Sequence, residues 1–382
     1  MIFLDHAATT PMSENAMNSY MKANQDYFAN TSSLHELGEK SKILLHSCRE
    51  SIATIIHAKT NEIYFTSGGT EANQRTLQAL FEANSHKGNH VITTKVEHPS
   101  VHSFFKTLEC NGVDVTYLPV DQDGLIQISQ LEQALRPDTI LASVQHVNSE
   151  IGAIQPLAKI GSLLSEKNVL FHSDCVQSFG KIPIDVGAFH LDAISISSHK
   201  IYGPKGVGAV FLRAGASWKP LNPLTTHENG FRPGTLNTPG IAAFTSASLD
   251  MNENMTNNYH RLEDLKRVFF DELSDISGII HVEGNQDHTS PYIIGMSIYG
   301  LEGQYVMLTL DRHNICISTG SACQTGKQTA SETMQALKKS PQEAKRFFRL
   351  SPGIDTTKDD MIKAAKLIRN CWKEKEGIMR VN

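Results

Sequence analysis

Asp192-Ala-Ile-Ser-Ile-Ser-Ser-His-Lys200, followed at once by Ile201-Tyr-Gly-Pro-Lys-Gly-Val-Gly208, is the stretch on which the reading of this chain turns. An apolar, β-branched run ends in small polar residues and delivers one lysine into a turn of glycine and proline. Strand ends and the loops that follow them are where α/β proteins keep their chemistry. A lysine held there among small polar groups is placed to form a Schiff base with a carbonyl cofactor. Most lysines are solvated surface groups, so the case for Lys200 rests on its neighbours.

Outward from that stretch, residues 62–213 alternate short β-rich runs with helical ones. The runs are Glu62–Thr66, His90–Thr94, Val113–Leu118, Thr139–His146, Val169–Ser173, Ala193–Ser197 and Val207–Leu212. Seven strands with interleaved helices predict a mostly parallel sheet covered on both faces. Leu34–His57 reads as a helix, Trp218–Pro239 as a long functional loop and Pro239–Ser274 as one long helix. Beyond it, strands at Ile279–Glu283, Tyr292–Ile298 and Ile315–Ser318 alternate with helices at Glu302–His313 and Lys358–Trp372, a smaller α+β unit.

Four further segments fall at strand ends. Thr66-Ser-Gly-Gly-Thr-Glu71 precedes a helix expected to start near Thr70; its glycines expose backbone N–H groups at a helix N-terminus, a cradle for phosphate. It lacks the spacing of a nucleotide-binding loop. Phe171-His-Ser-Asp174-Cys-Val-Gln177 ends a strand in an acid, suited to keeping a pyridine nitrogen protonated. With Lys200 one strand later, the pair implies pyridoxal 5'-phosphate. Val96-Glu-His98-Pro-Ser100 brings a tunable histidine to a helix start, and His146-Val-Asn-Ser-Glu-Ile-Gly152 supplies side-chain donors.

Hydrophobic residues make up 40% and charged residues 20% of the 382, a globular composition that calls for a large and a smaller domain. The net charge of −5 lacks the basic stripe of a nucleic-acid binder. The N-terminus has no signal-peptide pattern and no run approaches the length of a membrane span, which reads as cytoplasmic. Six scattered cysteines without a CxxC pair are neither a disulfide scaffold nor a zinc site. Cys323, in Ser318-Thr-Gly-Ser-Ala-Cys323-Gln-Thr-Gly-Lys327, stands in a polar stretch without apolar periodicity and reads as a loop thiol open to ionisation. The other five read as packing residues.

These residues resemble the pyridoxal-phosphate-dependent cysteine desulfurases of the class V aminotransferase superfamily. The resemblance runs along nearly the whole chain, through Leu4-Asp-His-Ala-Ala-Thr-Thr-Pro11, Thr66–Glu71, Glu97-His98, Asn148–Gly152, Asp174 with Gln177, Ser198–Gly206, Arg232-Pro-Gly-Thr235 and Ser318–Cys323. It implies fold type I, with residues 15–255 as the cofactor-binding domain and 1–14 with 256–382 as the small one. It implies that Lys200 holds the cofactor and shuttles a proton, that Asp174 pairs with the pyridine nitrogen, and that His98 stacks on the ring and handles substrate protons. Gln177 and Ser149 would meet the ring hydroxyl. Gly69, Thr70, Ser197 and His199 would hold the phosphate, joined by Thr235 from the other subunit of a homodimer. Asn148 and Arg349 would bind the substrate, Arg349 clamping its carboxylate. Cys323 would take sulfur from L-cysteine as a persulfide, leave alanine, and pass the sulfur to an acceptor for iron–sulfur cluster assembly or another sulfur-containing cofactor.

Three departures from the family pattern stand out. Ser149 replaces an asparagine, Thr225-Thr-His-Glu228 replaces a glycine-preceded His-Glu, and the chain ends about 33 residues after Arg349. The last points to a dedicated or different sulfur acceptor. Transamination or selenocysteine lysis by the same cofactor is the alternative enzyme reading; a catalytically silent sulfur relay would need a damaged site, and Lys200, Asp174, His98, Cys323 and Arg349 are all present.

Overall fold

The computed structural model describes residues 1–320 and 330–381; Cys323 lies outside them. Twelve strands are present among the described residues: β1 (Ile2–Phe3), β2 (Ile63–Thr66), β3 (His90–Thr94), β4 (Asp114–Leu118), β5 (Thr139–Ser143), β6 (Leu170–Asp174), β7 (Ala193–Ser197), β8 (Gly208–Leu212), β9 (Ile280–Val282), β10 (Ile294–Ile298), β11 (Ile315–Cys316) and β12 (Phe347–Leu350). The seven runs expected between residues 62 and 213 form one sheet in the order β2-β8-β7-β6-β5-β3-β4, parallel except for the pairings of β8.

Alternate residues along these strands go to opposite cores. Ile63, Phe65, Ile92, Ile194, Ile196, Ala209 and Phe211 pack into one cluster, while Tyr64, Val91, Ala193, Val210 and Leu212 pack into the other. A strand buried on both faces favours apolar residues on both, and the polar ones it does carry, such as Ser143, His172 and Ser195, bond one another across neighbouring strands. The helix Gly69–Asn84 lies across the sheet against β7 and β8. Because β2 and the parallel strands all run the same way, Thr66, Thr94, Ser143, Asp174 and Ser197 end at one edge of the sheet. That edge is where an open α/β sheet binds its ligand.

Past residue 213 the structure departs from expectation in several places. The single helix expected over Pro239–Ser274 is two, Thr238–Glu253 and Met255–Asp271, broken at Asn254. The Asn254 side chain donates to the Asp250 carbonyl at 3.0 Å, a local bond that competes with helix continuation. Ile315–Cys316 is a two-residue strand paired in parallel with Ile2–Phe3 rather than part of the sheet of β9, β10 and β12. The strand bearing Arg349, β12, went unanticipated; it pairs antiparallel with β10. Cys110 is exposed, not packed, because it ends the helix Pro99–Cys110, whereas Cys48, Cys175 and Cys371 are buried and Cys316 is partly so.

The loop at 218–239 is anchored where its sequence departs from the family pattern. Glu228 and Asn229 adopt left-handed backbone angles, φ 45° and 51°. That turn carries the Glu228 carboxylate inward, where it accepts from Arg49 Nη1 (2.9 Å), Arg49 Nη2 (2.6 Å) and the Phe65 N–H (2.6 Å). A buried acid survives only with such partners. No helix among the described residues is long and apolar enough to cross a membrane.

Candidate active site

Lys200 closes a short 3₁₀ turn, Ser198–Lys200, directly after β7. Its Nζ donates to the carbonyls of Ala7 at 2.6 Å and Ala8 at 2.7 Å, so the N-terminal segment forms a wall of the site. Gln177 Nε2 donates to the same Ala7 carbonyl (2.9 Å), and Gln177 Oε1 accepts from Lys181 Nζ (3.3 Å). Lys181 was not singled out from sequence. It is buried beside the Tyr292 ring, and burial, helped by the positive charges of Lys200 and Arg349, brings its amine down to about 7.

Asp174 ends β6, one strand from Lys200. Its Oδ1 accepts from the Val176 N–H (2.9 Å) and its Oδ2 from Asn73 Nδ2 (2.7 Å). His98 caps the helix Pro99–Cys110, its Nδ1 3.2 Å from the Ser100 N–H. Burial is the main cause lowering the His98 pKa; the Asp174 carboxylate works against it and Lys200 with it.

The segment expected to cradle phosphate, Thr66–Glu71, forms a turn that leads into a helix N-terminus. Gly68 caps the helix Gly69–Asn84 with φ +145°, a value that side chains rarely tolerate. The helix begins one residue earlier than expected. A Cβ at Gly208, on the neighbouring strand, would lie 2.8 Å from Gly68 Cα, so strand and cradle meet backbone to backbone. Ser197, His199, Lys205, Gly69 and Thr70 line the same cleft. The Ser197 hydroxyl is buried with no hydrogen-bond partner among the described residues. An orphaned hydroxyl facing a helix N-terminus is what a phosphate would satisfy, so these residues fit pyridoxal phosphate. Burial, then the charges of Lys200 and Lys205, lower His199 to about 4, which leaves its imidazole uncharged at neutral pH.

The expected substrate residues are partly committed elsewhere. Arg349 is buried; its Nη2 donates to Asp5 (2.7 Å) and its Nη1 to the Ser149 carbonyl (2.8 Å), while Nε has no partner among the described residues. Ser149 therefore meets Arg349 through its backbone. The Asn148 side chain accepts from the N–H groups of Glu150 and Ile151 and donates to Val96 O and Thr333. Thr235 is exposed and is not among the residues lining this cleft.

Glu97, beside His98, is fully buried, and burial pushes its carboxyl up to about 8 despite bonds from the Gln145 N–H (2.9 Å) and Thr94 Oγ1 (2.7 Å). A carboxyl whose folded pKa lies above its unfolded value adds stability that is complete below the unfolded pKa and is lost as pH rises through about 8. The slope in that window is about 1.4 kcal/mol per pH unit. The Glu97→Gln variant keeps both accepted bonds and removes the titration. Its melting temperature should fall less than the parent's between pH 5 and 9; parallel declines in thermal melts would refute the assignment.

The model of the aminotransferase class-V family matches residues 2–363, and the chain belongs to that family. It is a pyridoxal-phosphate-dependent enzyme of fold type I. It is 46% identical over 379 residues to a Bacillus subtilis (strain 168) protein named "Putative cysteine desulfurase NifS", covering 99% of this chain and 96% of that one. A solved structure of a NifS-like protein superposes with a TM-score of 0.91 at 27% identity, over 97% of this chain and 99% of the other. A second, of SspA in complex with cysteine, gives 0.81 at 32% identity over 92% and 98%.

Proposed function

We propose that this protein is a cysteine desulfurase that converts L-cysteine to L-alanine. The observation that carries the reading is the gathering of Lys200, Asp174 and His98 at one sheet edge beside a phosphate-fitting helix N-terminus. The similarity to proteins named for this activity, and to a structure holding cysteine, supports it. Bound pyridoxal phosphate supplies an electron sink for the substrate's Cα electrons.

The chain's own groups take the remaining work. Lys200 holds the cofactor's aldehyde carbon and moves the proton at Cα; Asp174 keeps the pyridine nitrogen protonated; Gln177 meets the ring hydroxyl. Gly69, Thr70, Ser197 and His199 hold the phosphate, with Thr235 serving the second copy of a homodimer. Arg349 receives the substrate carboxylate near Asn148. The Cys323 thiolate attacks the substrate sulfur and its S–C bond breaks, so that one thiol and one cysteine become one persulfide and one alanine. An acceptor protein for iron–sulfur or related cofactor assembly then takes the sulfur, in the cytoplasm. Residues 15–255 act as the cofactor-binding lobe, with 1–14 and 256–382 as the second.

Incubating the pyridoxal-phosphate-loaded protein with L-cysteine and a thiol reductant should give alanine and sulfide in equal amounts. Alanine without sulfide, or no alanine at all, would remove this reading.

A further inference from the structure

The hydrogen bonds behind the cleft start from Asn73 and run two ways, to Asp174 on one side and through Ser100 to His98 on the other. Asn73 lies one turn after Gly69 on the helix Gly69–Asn84 and is 1% exposed. Its Nδ2 donates one hydrogen to Asp174 Oδ2 (2.7 Å) and the other to Ser100 Oγ (2.9 Å). A carboxylate oxygen only accepts, so the amide must turn its NH₂ toward Asp174; the flipped amide would set oxygen against oxygen.

The rest of the chain of bonds follows from that choice. Ser100 Oγ receives a hydrogen from Asn73, and it lies 2.8 Å from His98 Nδ1, which a backbone N–H fixes as an acceptor, so the Ser100 hydroxyl hydrogen goes to Nδ1. The Ser100 backbone N–H is directed at the same nitrogen, at 3.2 Å. Nδ1 is thus an acceptor with its lone pair engaged, and the imidazole proton sits on Nε2. The charged and titratable groups bearing on His98 are Asp174, Lys200 and His102.

We infer that Asn73 is a positioning residue that, through Ser100, holds His98 with its proton on Nε2 and no free basic nitrogen, while bracing Asp174. Resting on the proposed placement of Asp174 and His98 at the cofactor, this makes His98 a hydrogen-bond donor to the bound groups. The proton transfer at Cα falls to Lys200. The role of His98 in handling substrate protons, implied by family resemblance, is narrowed accordingly.

The test is magic-angle-spinning NMR of histidine-labelled protein, with and without pyridoxal phosphate, the His98 signals being assigned by their loss in His98→Gln. The wild-type protein at pH 7 should show Nε2 protonated and Nδ1 bare. Asn73→Ala and Ser100→Ala should each raise the His98 titration midpoint by about one pH unit, a tenfold gain in proton affinity. Ser100→Thr, which keeps the hydroxyl, should restore it. A proton on Nδ1 in the wild type overturns the inference without recourse to any variant. A midpoint unmoved in Asn73→Ala overturns it as well, reducing Asn73 to a packing role whatever the melting temperature does. Cofactor loading and alanine formation are scored separately, so failure of the proposed function is told apart from failure of the tautomer assignment.

Discussion

Replacing Lys200 by alanine is expected to yield a folded protein that loses its cofactor on desalting and forms alanine from cysteine at least 10³-fold more slowly. The folded state should survive, because Lys200 contributes hydrogen bonds to two carbonyls, Ala7 and Ala8, in a part-buried setting where water can replace it. Nothing else is so placed. Lys181, a fully buried amine nearby, is turned to Gln177 and the Tyr292 ring. Lys205 lines the cleft beside Gly69 and Thr70, at the proposed phosphate end. The measurement is the visible absorbance remaining after gel filtration, with borohydride trapping of the covalent bond to the cofactor's aldehyde carbon. An absorbance that persists in Lys200→Ala and is still trapped would reject Lys200 as the anchor.

The second large effect is expected at Cys323. Cys323→Ala should retain the yellow cofactor and lose sulfide release from cysteine by a comparable factor. Accepting a sulfur atom from substrate takes a thiolate, and the described cysteines are poor substitutes. Burial pushes Cys175 up to about 12 and also raises Cys48, Cys316 and Cys371. Cys110 is exposed, but it ends the helix that His98 caps, about 18 Å along its axis. No described thiol therefore combines ionisation with proximity to Lys200. Sulfide released by Cys323→Ala at the parental rate, measured by methylene-blue formation, would show that another group takes the sulfur.

The seven-stranded sheet was legible because burial on both faces favours short runs rich in apolar and β-branched residues, and Ala193–Ser197 or Gly208–Leu212, bounded by turn residues, offers few competing readings. Lys200, Asp174 and His98 were legible for a related reason: each directly follows or closes such a run. The elements that escaped are those whose existence depends on distant partners. Ile2–Phe3 is a strand only because Ile315–Cys316 lies beside it, and Phe347–Leu350 only because β10 does. Asn254 interrupts a pattern that apolar spacing alone would carry through, since its side chain bonds the preceding turn.

Within the site, Asn73, Ser100 and Lys181 were passed over for the same cause. A lone polar residue that packs inward is an ordinary occurrence, and little in the local pattern of any of the three marks it out. What distinguishes Asn73 is that Asp174 and Ser100, 101 and 27 residues away, arrive at the same amide nitrogen. The only local trace was its spacing of one turn from Gly69, which puts both on the face turned to the sheet.

The contact between Gly208 and Gly68 couples two things that usually vary independently. In most enzymes a ligand loop can drift in shape while the strand beside it keeps its place. Here the backbone of β8 rests against the Gly68 turn, proposed above to receive the cofactor's phosphate, at a separation that admits no side chain. A mutation at 208 is thus expected to change cofactor retention, although Gly208 is not among the residues lining the cleft. Libraries that randomise only ligand-contacting positions would overlook the site where the cradle's position is decided.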